Sequence, residues 1–213
     1  SSNRDRMHTF RYGIMIPYVM IGGVMLITVI ERHISATLIL FLIGTIVIFI
    51  GGAPTKILGG FAAIGATIMG GVVLFSSYAK ERVEFWLHPE EDPSDSGYQL
   101  LQSLYAIGSG GLLGVGLGNS RQKYLYLPES QNDFIFAIIC EEFGLVGAVS
   151  VICLFIALVW RGVIIAMRAP DTYSSLLVFG IVSKVALQCI MNIAVVTGTL
   201  PVTGVSLPFF SYG

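Results

Sequence analysis

Three uncharged runs, Tyr12–Ile30, Ile34–Thr55 and Ile57–Ala79, follow one another with only Glu31-Arg-His33 and Lys56 between them. Each is long enough to cross a hydrocarbon core of roughly 30 Å at about 1.5 Å rise per residue. Such runs leave the chain little choice, because every backbone polar group in lipid must find its partner within the protein, and a continuous apolar run does so as a helix. Composition agrees: 12% of residues are charged and mean hydropathy is +0.80, against about 25% charged in soluble domains. The expected fold is therefore all-α, a polytopic helical membrane protein. Five spans are expected, at about 12–30, 34–52, 57–79, 134–160 and 172–197, in a single membrane domain with one large loop over 80–133.

Charge is distributed unevenly. The 80–133 insertion holds Lys80, Arg82, Arg121 and Lys123, four of the 12 Lys and Arg. It also holds Glu81, Glu84, Glu90, Glu91, Asp92, Asp95, Glu129 and Asp133, eight of the 13 Asp and Glu. With five alternating spans, Arg4, Arg6, Arg11, Lys56, Arg161 and Arg168 fall on one side, which the positive-inside rule makes cytoplasmic. The acidic insertion then faces outward. The segment after Thr199 contains Gly and Pro in Leu200-Pro-Val-Thr-Gly-Val-Ser-Leu-Pro-Phe-Phe. Irregular backbone at membrane depth needs protein or a wet cavity around it, so a re-entrant segment packed near the outer loop is expected. Cys140, Cys153 and Cys189 lie in apolar stretches without metal-ligand spacing and read as small buried hydrophobes. No signal peptide is expected from Ser1–Arg11, which is polar and leads straight into a full-length span. The chain lacks Met at position 1 and stops soon after Leu207-Pro-Phe-Phe, so an internal piece of a larger protein is expected.

The chemistry-bearing residues gather at one junction, where a polar loop runs into an apolar helix. Glu129 and Asp133 lie at its lip and Glu141 and Glu142 about 12 Å further in, if the segment is helical. An ionisable group at that depth is costly and marks function by default. Gly108-Ser-Gly-Gly-Leu-Leu-Gly-Val-Gly-Leu-Gly118 follows no parallel strand, so a dinucleotide fingerprint lacks its context. Its glycines fit either a close backbone approach or an anionic pocket lined by N–H groups. Arg121 and Lys123 could hold a phosphate or pyrophosphate, and Glu129 or Asp133 could act as general base or hold a divalent ion. The plain alternative is a solvated loop with helix-capping acids. Successive helical side chains diverge by about 100°, so Glu141 and Glu142 are expected in different environments. Lys184 comes to a similar depth from the opposite side and is expected to pair with one of them.

Several ordered motifs carry a resemblance: Gly97-Tyr-Gln-Leu-Leu-Gln-Ser, the 108–118 glycine run with Asn119-Ser, Leu127-Pro-Glu-Ser-Gln-Asn-Asp-Phe-Ile-Phe-Ala, Glu141-Glu-Phe-Gly and Leu207-Pro-Phe-Phe-Ser-Tyr-Gly. Together they resemble the shape, elongation, division and sporulation (SEDS) family, closest to its FtsW and SpoVE branch. The resemblance implies a ten-helix bundle of which five spans are visible. It also implies a glycosyltransferase that polymerises lipid II into glycan strands at the outer face of the bacterial inner membrane, during division or sporulation. Asp133 then becomes the essential acid, Arg121, Lys123 and Glu129 bind substrate, and Glu141, Glu142 and Lys184 are structural or line the cavity. A divalent cation, Mg2+ or Mn2+, is implied, as are lipid II, a growing glycan strand, membrane lipid and a class B penicillin-binding protein as partners. No nucleic acid is expected. A lipid II flippase and a non-catalytic scaffold are the competing classes.

Overall fold

A computed structural model of the chain describes residues 11–31, 34–75, 77–91, 96–123, 127–128 and 130–212. Seven α-helices and no strand occur among them: α1 (Ile16–Ile30, after a π-helical turn at Arg11–Met15), α2 (Ile34–Ile50), α3 (Thr55–Phe75), α4 (Ser77–Leu87), α5 (Ser96–Gly110), α6 (Ile135–Met167) and α7 (Thr172–Val196). The five expected spans correspond to α1, α2, α3, α6 and α7. Among the described residues three stretches are long and apolar enough to cross a membrane, Gly13–Ile30, Ile135–Met167 and Thr172–Val196, while Ser35–Ile50 and Thr55–Ile68 are shorter apolar helices. The large insertion is more ordered than a loop, since α4, α5 and a 3-10 turn at Pro89–Glu91 lie in or enter it.

The chain forms two compact units, one of residues 1–73 and 158–186 and the other of residues 74–157 and 187–213. In the first, Ile14, Ile48, Ala53 and Leu58 form a buried cluster with Tyr18, Ile21 and Phe61 against it. Helix α2 ends in a Schellman motif. Gly52 has φ +92, its N–H donates to the Phe49 carbonyl, and the Ala53 N–H donates to that of Ile48. Glycine fits there because the left-handed conformation costs it nothing, and the motif turns Ile48 and Ala53 into the same cluster. Hydroxyl pairs tie α1 to α2: Tyr18 to Thr45 at 2.9 Å and Thr28 to Thr37 at 2.8 Å. Hydrogen bonds of this kind and small residues at contacts hold helices together in lipid.

The second unit carries the junction. On α5 the buried positions are Ser96, Gly97, Leu100, Ser103, Ala106 and Gly110, a stripe at intervals of three and four that places one face inward. Four of those six are Gly or Ser. Their size lets backbones meet: a Cβ on Gly110 would fall 1.9 Å from the Cys140 carbonyl oxygen on α6. Helix α7 also ends in a Schellman motif, with Gly198 at φ +72 and bonds from Gly198 N–H to Val195 O and Thr199 N–H to Ala194 O.

Candidate functional site

Helix α6 is broken at Gly144, whose φ of 63° and ψ of −159° are not helical. An unbroken helix would bond Leu145 N–H to Glu141 O and Val146 N–H to Glu142 O. Here the glycine loop takes both places. Val115 and Gly116 donate to the carbonyls of Glu141 and Glu142 at 2.9 and 3.1 Å, and Leu145 and Val146 donate to those of Gly111 and Leu112 at 2.9 and 3.3 Å. Two helical bonds are exchanged for four loop bonds, so the break leaves none of these groups exposed to lipid. The glycines are required by contact: a Cβ on Gly114 would lie 2.1 Å from Glu142 O, and one on Gly144 would lie 2.4 Å from Gly114 N. Of the two uses open to the glycine run, close backbone approach is the one observed. The N–H groups of Gly114, Val115 and Gly116 are all spent within the protein.

The same loop continues over the two glutamates. Ser120, fully buried, donates its hydroxyl to Glu141 Oε2 in a short bond. The backbone N–H of Arg121 donates to Glu141 Oε1 at 3.0 Å and that of Gln122 to Oε2 at 3.4 Å. Lys123 Nζ donates to Glu142 Oε1 at 2.9 Å, and its backbone N–H reaches the Ser120 hydroxyl at 3.2 Å. Glu141 and Glu142 are only 2% and 8% exposed. This corrects two expectations. The glutamates share one environment, because the loop wraps across both directions in which they point. The cation that pairs with Glu142 is Lys123, whereas Lys184 is an exposed residue of α7. The Arg121 side chain is exposed, its backbone alone engaged with Glu141. Glu129 lies outside the described residues.

Asp133 sits in the turn just before α6, half-buried. The backbone around it is held at three successive carbonyls. Tyr212 N–H donates to Gln131 O at 3.0 Å, the Ser211 hydroxyl to Asn132 O at 2.6 Å, and Asn192 Nδ2 to Asp133 O at 2.6 Å. Asp133 Oδ2 faces Gly204, where a Cβ would stand 3.4 Å away. Two of these bonds come from the irregular stretch after α7 and one from α7 itself, and that stretch packs against the 80–133 insertion, as expected. Arg82 and Trp86 of α4 donate to the carbonyls of Val202 and Gly198, and Ser103 of α5 donates to Val196 O at 2.7 Å. Sequence reasoning passed over Asn192, Ser120, Ser211, Arg82 and Trp86's role as a donor. One signal was there: Asn192 is, with Gln188, one of two amides inside the apolar run Ala186-Leu-Gln-Cys-Ile-Met-Asn-Ile-Ala-Val-Val196, and a polar group in such a helix needs a partner. Among the described residues no three His, Cys, Asp or Glu side chains gather as a metal site.

Beside α6, Leu113, Ile135, Ile139, Phe143, Val146 and Phe210 line most of an apolar cavity of about 640 Å³. Fold and site together define a class: a multi-pass helical membrane protein whose 80–133 insertion is bonded into its membrane helices around a carboxylate at the start of α6. The family model for FtsW, RodA and SpoVE, described as cell cycle protein, matches residues 1–213, and the chain belongs to that family. It is 43% identical over 213 residues to stage V sporulation protein E of Bacillus subtilis, covering 100% of this chain and 58% of that protein. It is 37% identical over 211 residues to the protein named "Probable peptidoglycan glycosyltransferase FtsW" of Geobacter sulfurreducens, covering 99% and 56%. The chain thus spans somewhat over half the length of these curated relatives. Among solved structures, a chain of a peptidoglycan synthase complex that coordinates polymerization and crosslinking superposes with a TM-score of 0.75 at 25% identity, covering 97% of this chain and 57% of that one. The rod shape determining protein RodA of Thermus thermophilus shares the fold, with a TM-score of 0.63 at 22% identity, covering 99% and 54%.

Proposed function

We propose that the protein containing this chain is a peptidoglycan glycosyltransferase that polymerises lipid II at the outer face of the bacterial inner membrane, with Asp133 as its base. The supporting observation is the placement of that carboxylate: half-buried at the start of a membrane helix, on a backbone bonded at three successive carbonyls. Two relatives of the chain are named for sporulation and for peptidoglycan glycosyl transfer, and a structural neighbour belongs to a peptidoglycan synthase complex.

The reaction requires a sugar hydroxyl to attack the anomeric carbon of a lipid-linked disaccharide. The bond from that carbon to the pyrophosphate oxygen breaks as the new glycosidic bond forms. Asp133 takes the hydroxyl proton, and undecaprenyl pyrophosphate leaves with the electron pair. The departing charge needs a cation in a low-dielectric site. Arg121 suits this better than Lys123, because Glu142 already neutralises Lys123. A penicillin-binding protein that crosslinks the new strand is the partner of this reading. Its test uses the full-length protein with that partner, purified lipid II and Mg2+ or Mn2+. Glycan strands from the wild type and none from a folded Asp133→Asn variant are expected. Polymer from Asp133→Asn would remove the assigned base, and none from a folded, partnered wild type would point to lipid transport.

A further inference from the structure

Asn192 is fully buried in α7, and its amide nitrogen donates two bonds, to Asp133 O at 2.6 Å and to Val205 O at 2.7 Å. The two acceptors belong to different segments. Asp133 precedes α6, and Val205 lies in the irregular stretch after α7, next to Gly204. Gly204, at φ +63, is the residue that Asp133 Oδ2 faces, 3.4 Å from where its Cβ would be. One amide therefore fixes both the acid and the wall in front of it. The amide's orientation follows from its partners, since an oxygen turned toward two carbonyls would be repelled by both.

Resting on the glycosyltransferase reading, we propose that Asn192 is a positioning residue for Asp133, fixing where its carboxylate stands against the Gly204 backbone. Asn192 touches no reacting atom. It acts by holding the base in place before substrate arrives, and a displacement of about 1 Å at a reacting group can cost on the order of a hundredfold in rate. The binding of the lipid-linked substrate draws on other groups, so a loosened Asp133 should lower turnover and leave KM in place.

The experiment compares wild type, Asn192→Leu and Asn192→Ser in the full-length protein with its penicillin-binding partner, reading kcat and KM for lipid II separately. Asn192→Leu keeps the volume and removes both donors, whereas Asn192→Ser keeps one hydroxyl donor. Expected is a fall in kcat of about tenfold to a hundredfold for Leu, a smaller fall for Ser, and KM within about threefold in both. Wild-type turnover in a folded Leu variant, or a loss confined to KM, overturns the proposal while the glycosyltransferase reading stands. If Leu fails to assemble with the partner, the Ser variant decides: undiminished kcat, or its own failure to assemble, makes the role structural and overturns positioning. No polymer from the wild type itself overturns both readings.

Discussion

Lys123 and Glu142 meet at 2.9 Å, the lysine side chain 30% exposed and the glutamate 9%. Removing one member of a buried pair leaves the other uncompensated and costs about 3–5 kcal/mol, while exposed pairs are worth about 0–1 kcal/mol. This pair lies between those limits. Lys123→Met should lower stability by about 1–3 kcal/mol, seen as a lower Tm in detergent. Adding Glu142→Gln should restore part of the loss, because the buried charge is then gone; an additive double variant would show no coupling. Asp171 caps α7, its carboxylate accepting from the Ser174 N–H and hydroxyl, both at 2.8 Å. Those bonds hold its pKa below the usual carboxylate value. A lowered folded pKa means the cap's contribution is present above the unfolded value and is lost as pH falls through the folded one. Asp171→Ala should therefore lower Tm at neutral pH and differ less from wild type in acid, a comparison made by melting both at two pH values.

Among the elements, the glycine loop and the broken α6 give the sharpest contrast. Gly114 and Gly118 both have positive φ, 79° and 82°, yet their surroundings differ. A Cβ on Gly114 meets the Glu142 carbonyl at 2.1 Å, and one on Gly118 meets nothing within 4 Å. Gly118→Ala should cost only the left-handed penalty, about 1–2 kcal/mol. Gly114→Ala should prevent folded protein from accumulating, judged by the yield of monodisperse protein after detergent extraction. The five apolar helices were legible in the sequence because length and a scarcity of charge mark them, and that holds even for α6, whose backbone is not satisfied within the helix across Gly144. The stitch at Gly144 was not, because helical periodicity gives Glu141 and Glu142 a depth and a direction but says nothing of a loop returning over both. Lys184 looked like the partner because it matched that depth. Lys123 is nearer in the chain, and the loop that carries it returns over Glu142. Asp133 was placed by its motif, whereas the bonds that hold its backbone come from residues 192, 211 and 212, at separations no local pattern reveals.

For the whole molecule, the charge asymmetry makes a test of orientation possible. Asn119 and Arg168 are both exposed, one in the 80–133 insertion and the other in the short turn between α6 and α7. A membrane-impermeant maleimide applied to intact spheroplasts should label Asn119→Cys and leave Arg168→Cys unlabelled until the membrane is opened; the reverse pattern would invert the topology. The exchange of backbone bonds between 111–116 and 141–146 also bears on how this protein can vary over evolutionary time. Side chains such as Leu112, Leu113 and Leu117 are largely exposed and can change with little penalty. The number of residues cannot. A single insertion or deletion between Gly111 and Gly116 would shift the register of the stitch and strand polar backbone groups in lipid, so related chains should differ here in spelling but never in length.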